Sequence, residues 1–97
     1  MALEIAFSRK ADKDFETILN YLLENFGSQS ADQFKILIDE FVTLVLLFPE
    51  IGSLELADRK IRGFVAHHRL KIFYRINGER IVILRLFDTR QHPGKKF

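Results

Sequence analysis

The sequence predicts an α+β fold in which a helical hairpin packs on one face of a small, mainly antiparallel sheet. Residues 60–87 read as three consecutive strands, and Asn77-Gly78 lies between two runs rich in Ile, Phe, Tyr and Val, a strong hairpin signal. Residues 9–48 carry apolar side chains three and four positions apart, which is typical of amphipathic helices. With a short strand over residues 3–7, the predicted order is β-α-α-β-β-β in a single domain, 1–97.

The helix ends follow from capping chemistry. Ser8 is predicted to cap a first helix over residues 9–26, and Gly27 fits the left-handed position after its last turn. Residues 30–33 read Ser-Ala-Asp-Gln, a capping box that would begin the second helix. Pro49 ends that helix, because proline cannot donate the helical amide. The short connection predicts an antiparallel pair of helices.

The Asn-Gly turn also predicts a register. A two-residue loop at Asn77-Gly78 pairs Arg75 with Arg80, two like charges whose repulsion an anionic partner would relieve. Alternation then assigns to the core face Leu70, Ile72, Tyr74, Ile76, Ile81, Ile83 and Phe87. It assigns to the opposite face Arg69, Lys71, Phe73, Arg75, Arg80, Val82 and Leu84.

Charge is unevenly distributed along the chain. Residues 1–48 hold four Lys or Arg against eight Asp or Glu, whereas residues 49–97 hold eleven against five. The resulting −4 and +6 give the net charge of +2. A basic strand half indicates an anionic partner, either nucleic acid or an acidic protein segment.

The basic strand face is the first candidate binding surface. If the Asn-Gly hairpin is in register, the preceding strand pairs through the turn at His67-His68, and Arg62 and Phe64 join Lys71 and Phe73 on this face. Basic side chains among aromatic ones suit phosphate contact and base stacking. The alternative is that they only shield a partly apolar face. The candidate residues for binding a target or nucleic acid are Arg62, Arg69, Lys71, Arg75, Arg80, Arg90, Lys95 and Lys96.

The C-terminal segment is the second candidate. Arg90 and His92 follow the last strand, where a histidine could move a proton and an arginine could stabilise developing charge on a phosphodiester. The alternative is that both are solvated. Arg85 lies in an apolar run and needs an ionic partner, for which Asp39 or Glu40 on the second helix is predicted.

Other classes of protein are disfavoured. The chain has no Cys, hence no disulfide framework and no thiolate metal site, and its His and acidic residues show no metal-ligand spacing. No phosphate-binding glycine loop is present, so no metal or cofactor is expected. The first ten residues lack the apolar core of a secretion signal, and no apolar run is long enough to cross a membrane. A cytoplasmic protein without membrane contact is expected.

The order of these features resembles the RelE/ParE superfamily of bacterial type II toxins, also called plasmid stabilisation proteins. The resemblance rests on the predicted element order, on PEIG at 49–52, on IRGF at 61–64 and on KIFYRINGERIVILRLFDTRQHP at 71–93. It covers nearly the whole chain. It implies a toxin neutralised by a cognate antitoxin, with operator DNA bound only through that antitoxin. The side chains expected to meet the antitoxin are Phe64, Phe73, Leu46 and Leu47.

The superfamily divides into two activities. RelE-like members cleave mRNA on the ribosome, and for them the resemblance implies Lys71, Arg90 and His92 as catalytic residues, with Glu50 or Glu55 as a possible base. Pro93 stands where the histidine-bearing nucleases have tyrosine, and no C-terminal tyrosine is present. ParE-like members inhibit DNA gyrase, and Arg-x-x-Pro at 90–93 is closer to them. Gyrase inhibition is therefore the first expectation, with mRNA cleavage or a non-toxic binding module as alternatives.

Overall fold

The computed structural model describes residues 3–90 and confirms the predicted fold class. Two helices pack on one side of a five-stranded mixed sheet with the order β1-β5-β4-β3-β2. The elements in chain order are β1 (Glu4–Phe7), α1 (Arg9–Asn25), α2 (Ser28–Leu47), β2 (Ser53–Leu56), β3 (Ile61–His67), β4 (Leu70–Asn77) and β5 (Arg80–Asp88).

β1 lies parallel to β5 at one edge of the sheet, while the other neighbouring strands are antiparallel. β2 lies outside the strands predicted over residues 3–7 and 60–87, and it forms the opposite edge of the sheet. Its sequence, Ser-Leu-Glu-Leu, alternates polar and apolar residues, but the run is only four residues long and all four are exposed, so no buried face accompanies the alternation. Among the described residues, no helix is long and apolar enough to cross a membrane.

The core lies between the helical pair and the sheet. Phe34, Phe41 and Val45 of α2 meet Ile72 and Tyr74 of β4, all of them at most 1 % exposed. The Phe41 ring packs 5.4 Å from that of Tyr74, centroid to centroid. Contacts of this kind explain why the apolar stripe of each helix and the apolar positions of β4 and β5 face one another.

The first helix cap is confirmed, and the second is wrong. Ser8 Oγ accepts a hydrogen bond from the backbone N–H of Ala11 at 3.0 Å. α2 begins at Ser28, so Ser30 lies inside the helix and cannot act as its cap. Gly27 takes φ +91° and ψ 174°, which is not the left-handed helical conformation, and it precedes α2 directly. One glycine thus turns the chain from one helix into the next.

The turn between β4 and β5 is displaced by one residue from its predicted position. Asn77 pairs with Arg80, and the loop residues are Gly78 and Glu79. Gly78 has φ +63° whereas Asn77 does not have positive φ, which matches a turn with glycine in the first loop position. Arg75 therefore lies opposite Val82, and the predicted Arg75–Arg80 pair is wrong.

Two β-bulges change which side chains share a face. Near the end of β3, Val65 pairs with Lys71 but His67 pairs with Leu70, so one extra residue reverses the alternation. Arg62 and Phe64 consequently lie on the helix side of the sheet, contrary to prediction. In β5 a second bulge follows Ile83, and Leu86 enters the core in place of Phe87.

Arg85 lies in this second bulge and forms an ion pair with a helix, as predicted, but with a different acid. Its guanidinium donates to both carboxylate oxygens of Asp14 on α1, at 2.8 and 3.1 Å. Asp14 also accepts from the backbone N–H of Leu86 at 3.0 Å. The partners proposed from sequence, Asp39 and Glu40, are on α2. One carboxylate thus neutralises the arginine and binds the bulged backbone.

Candidate functional site

The side of the sheet turned away from the helices, called the free face below, is partly apolar and less basic than predicted. Among its charged residues, Lys71 and Arg75 come from β4 and Arg80 from β5, while Glu4 is on β1 and Glu55 on β2. The pairing of the strands places beside them the apolar side chains of Val65, Phe73, Val82 and Phe87.

Lys71 is held by an acid that comes from two strands away. Its ammonium lies 2.8 Å from Glu55 Oε1, and the side chains are 13 % and 30 % exposed. The other oxygen of Glu55 accepts a hydrogen bond from Ser53 Oγ at 3.1 Å. The same ammonium lies 5.2 Å from the centre of the Phe73 ring, within cation–π range. Lys71 is thus fixed on the free face by charge and by an aromatic ring.

Arg80 lies beside carboxylates as well. It lines a shallow groove at the end of the hairpin together with Glu4, Asn77 and Glu79. Arg75 is partly exposed between Val82 of β5 and Ile61 of β3. The free face therefore presents interspersed charges of both signs around an apolar centre.

Arg62 holds the loop that follows α2. Its guanidinium donates to the carbonyl of Gly52 at 2.8 Å and to that of Glu50 at 3.3 Å. The buried Tyr74 hydroxyl donates to the carbonyl of Pro49 at 2.7 Å and accepts from Gly52 N–H at 2.8 Å. Burial raises the pKa of Tyr74, which favours the protonated form that donates this bond. Arg62 thus has a clear structural role on the helix side.

Arg90 lies at the opposite end of the sheet and also on the helix side. Its guanidinium donates to both oxygens of Asp88, at 3.2 and 3.0 Å, and Asp88 is only 1 % exposed. It lies 5.6 Å from the ring centre of Phe26, and the Tyr21 hydroxyl donates to its carbonyl at 3.1 Å. Arg90 is therefore not brought to the free face beside Lys71.

The turn before β4 carries the two adjacent histidines. The rings of His67 and His68 lie 4.0 Å apart, and the Arg69 side chain donates to His68 Nε2 at 3.1 Å. Burial lowers the pKa of His67, and the nearby charges of His68, Arg90 and Arg69 lower it further against the opposing effect of Asp88. Arg69 lies in the turn and not in a row with Arg75.

The end of α2 is an exposed apolar surface. Leu47 and Phe48 are 68 % and 59 % exposed, and Leu46 and Ile51 are also exposed. Leu47, Phe48 and Ile51 line a cleft on the loop held by Tyr74. The predicted antitoxin-binding residues therefore do not form one surface. Leu46 and Leu47 are exposed at the end of α2, and Phe73 is on the free face. Phe64 instead packs against Phe41, with ring centres 5.3 Å apart.

Several predicted residues cannot be placed. His92, Lys95 and Lys96 fall outside the described residues. Within residues 3–90, no group of three or more His, Cys, Asp or Glu side chains could hold a metal ion. The partners that sequence reasoning missed are Asp88 and Asp14, together with Tyr74 as the tether of a loop. An aspartate ending a strand two residues before an arginine is the one local signal that could have indicated the Asp88–Arg90 pair.

Comparison with known proteins agrees with this fold. The family model described as the ParE toxin of the type II toxin–antitoxin system parDE matches residues 5–93. A search of curated proteins found no significant match.

Solved structures of the same fold come from several bacteria. The chromosomal ParDE toxin–antitoxin system of P. aeruginosa is 20 % identical, with a TM-score of 0.72 over 90 % of this chain and 96 % of that one. A copper-bound mutant toxin from Helicobacter pylori is 20 % identical, with a TM-score of 0.60 over 93 % and 98 %. A mutant of the E. coli toxin RelE in the free state is 17 % identical, with a TM-score of 0.59 over 95 % and 88 %. Because the family model spans nearly the whole described domain, the chain belongs to the ParE toxin family of type II toxin–antitoxin systems.

Proposed function

We propose that this toxin acts by inhibiting DNA gyrase and not by cleaving RNA. The observation that carries the proposal is the separation of the two described residues that cleavage would need. Lys71 lies on the free face against Glu55, whereas Arg90 lies on the helix side against Asp88. Acid–base catalysis on a phosphodiester requires groups that converge on one reacting atom. The match to a ParE family model also supports gyrase inhibition over RNA cleavage.

The surface instead suits contact with another protein. The free face combines apolar side chains with charges of both signs, and the end of α2 exposes Leu47 and Phe48 on a tethered loop. Exposed apolar patches with polar rims are typical of protein–protein interfaces. Because the loop is already ordered, binding there loses little conformational entropy.

The second partner in this proposal is a cognate antitoxin in the cytoplasm. The similar solved structures include toxin–antitoxin assemblies, among them the P. aeruginosa ParDE system and the E. coli DinJ–YafQ toxin–antitoxin complex. For this chain we propose that antitoxin contacts involve Leu46, Leu47 and Phe73. Phe64 is left out because its ring is part of the core packing. Operator DNA would be bound through the antitoxin.

A paired assay tests the proposal. Purified toxin is added to gyrase with relaxed plasmid, and in parallel to ribosomes translating a defined mRNA. We expect loss of supercoiling or accumulation of cleaved plasmid, reversed by the antitoxin, while the mRNA stays intact. Arg75→Ala tests whether gyrase contacts the free face. The matched control is Arg59→Ala, which removes an exposed cation from the turn before β3.

Each alternative has its own result. Cut mRNA with unaffected gyrase would establish the RelE-like alternative, and cutting should then be lost in Arg90→Ala and His92→Ala. Antitoxin binding without either effect would indicate a non-toxic binding module. Either outcome contradicts the gyrase proposal.

A further inference from the structure

We propose that Glu55 is a specificity-determining residue that keeps nucleic acid off the free face of this toxin. Its carboxylate neutralises Lys71 and repels phosphates from the same place. The inference goes beyond gyrase inhibition, because it concerns which class of ligand the free face rejects. It can be tested on the toxin alone, without gyrase or antitoxin.

The pair depends on an unusual route across the sheet. Glu55 is on the edge strand β2 and Lys71 is on β4, so β3 lies between them. The two side chains meet over Gly63 of β3, which pairs with both Ser53 and Phe73. A Cβ on Gly63 would lie 2.6 Å from Glu55 Cδ and 2.8 Å from Lys71 Cε. A residue without a side chain at this position is therefore what allows the pair to form.

Both carboxylate oxygens are engaged, which makes Glu55 a fixed negative charge. Oε1 lies 2.8 Å from the Lys71 ammonium, and Oε2 accepts from Ser53 Oγ at 3.1 Å. A phosphate that approaches Lys71 must displace this carboxylate or lie beside it. Either way the electrostatic attraction that dominates the affinity of proteins for nucleic acid is reduced.

The rest of the free face supports this reading. Arg80 shares its groove with Glu4 and Glu79, and Glu55 faces Lys71, so carboxylates accompany the cations at both edges of the sheet. A surface built to follow a phosphate backbone would instead carry cations without interspersed acids. In the folded structure, neighbouring carboxylates thus offset the basic charge that the sequence predicts for this face.

Two variants disturb the pair by different means. Glu55→Gln removes the carboxylate and raises the net charge by one unit. Gly63→Ala leaves the net charge unchanged but forces the two side chains apart. The atoms in its way are the ends of flexible side chains, and Gly63 is not in a positive-φ conformation, so the fold should tolerate the alanine.

The probe is a fluorescein-labelled single-stranded RNA of about 20 nucleotides, with binding followed by anisotropy at two salt concentrations. We expect Glu55→Gln to bind about fivefold more tightly than the unmodified toxin, the upper range for a partly exposed ion pair. The slope of log affinity against log salt should steepen by about 0.7, one added phosphate contact. Gly63→Ala should shift both quantities in the same direction.

Two controls isolate the effect. Glu24→Gln makes the same charge change at an exposed position of α1 and should alter affinity less than twofold. The double variant Glu55→Gln/Lys71→Gln should return to the unmodified affinity, because the cation has gone with the acid. Urea unfolding of each variant verifies the fold. Equal affinities for Glu55→Gln and Glu24→Gln, or a gain that persists without Lys71, would overturn the proposal, and gyrase inhibition would be unaffected by that result.

Discussion

Replacing Tyr74 by Phe removes one oxygen atom, and we expect it to be among the most destabilising conservative changes in the domain. The side chain is fully buried, and its hydroxyl makes two backbone hydrogen bonds, to the Pro49 carbonyl at 2.7 Å and from Gly52 N–H at 2.8 Å. Phenylalanine fills the same space but leaves both backbone groups without this partner. Each unsatisfied buried group costs about 1–3 kcal/mol. Because Pro49 is only partly buried and water can reach its carbonyl, we expect a total near the lower end for two groups, about 2–3 kcal/mol.

That loss is large for a domain of this size, whose free energy of unfolding should be about 5–15 kcal/mol. It corresponds to a fall in Tm of about 10–20 °C, or to a urea midpoint lower by about 1–2 M. Tyr21→Phe is the matched control, because it deletes the same atom from one partly buried bond, to the Arg90 carbonyl at 3.1 Å. The control should cost at most about 1 kcal/mol.

A second measurement is the free energy of unfolding at alkaline pH. Burial raises the pKa of Tyr74 above its usual 10.0, so above that pH the unfolded chain loses its proton first. Stability should therefore fall as pH rises past about 10, and Tyr74→Phe should remove part of that fall. Equal urea midpoints for Tyr74→Phe and Tyr21→Phe would refute the reasoning, since the tether of the loop would then contribute no more than an ordinary partly buried bond.

The remaining predictions concern stability at three other places. Gly52→Ala should cost about 1–3 kcal/mol in urea unfolding, because a Cβ there would lie 2.7 Å from the Tyr74 ring and 2.9 Å from a backbone oxygen; a neutral effect would mean that the loop can move away. Asp14→Ala should destabilise the domain by about 1–2 kcal/mol and Arg85→Ala by at most about 1 kcal/mol. The reason is that only Asp14→Ala also leaves a backbone amide of the β5 bulge without its hydrogen-bond acceptor. A larger effect of Arg85→Ala would contradict this. The pKa of His67 is below 6.5 in the folded protein, so the unfolded chain takes up the proton first as pH falls, and the domain loses stability between pH 7.5 and 5.5. His67→Gln should reduce that loss. Urea midpoints that vary with pH as in the unmodified toxin would exclude His67 as a cause of it.

The sequence was sufficient for the fold and for most of the core. The helical spacing and the alternation around the Asn-Gly turn place Ile72, Tyr74, Ile81 and Ile83 correctly in the core. They survive the displaced turn because the pairing of the two strands shifts by two residues, with Arg75 opposite Val82 instead of Arg80, and an even shift leaves each side chain on its original face. Periodic burial of many apolar side chains tolerates such an error.

The functional surface was less predictable because single residues decide it. One bulge in β3 moves Arg62 and Phe64 to the helix side, and nothing in the local sequence distinguishes a bulged residue from a regular one. The end of β5 likewise places Arg90 against a buried aspartate, away from Lys71. Assigning side chains to one face of a strand by alternation fails beyond the first inserted residue. Assigning residues to the core is more robust, because many apolar positions support it together.

The charge of the basic half therefore overstates its capacity to bind anions. Three of its cations are held by carboxylates, Lys71 by Glu55, Arg85 by Asp14 and Arg90 by Asp88. A fourth, Arg62, is held by the carbonyls of Glu50 and Gly52. Each pair orders a strand edge, a loop or a bulge, so these cations are already used in the fold. Much of the surface that remains for partners is apolar, at the end of α2 and at the centre of the free face. The surface left by these pairs is therefore better suited to apolar contact with another protein than to following a phosphate backbone.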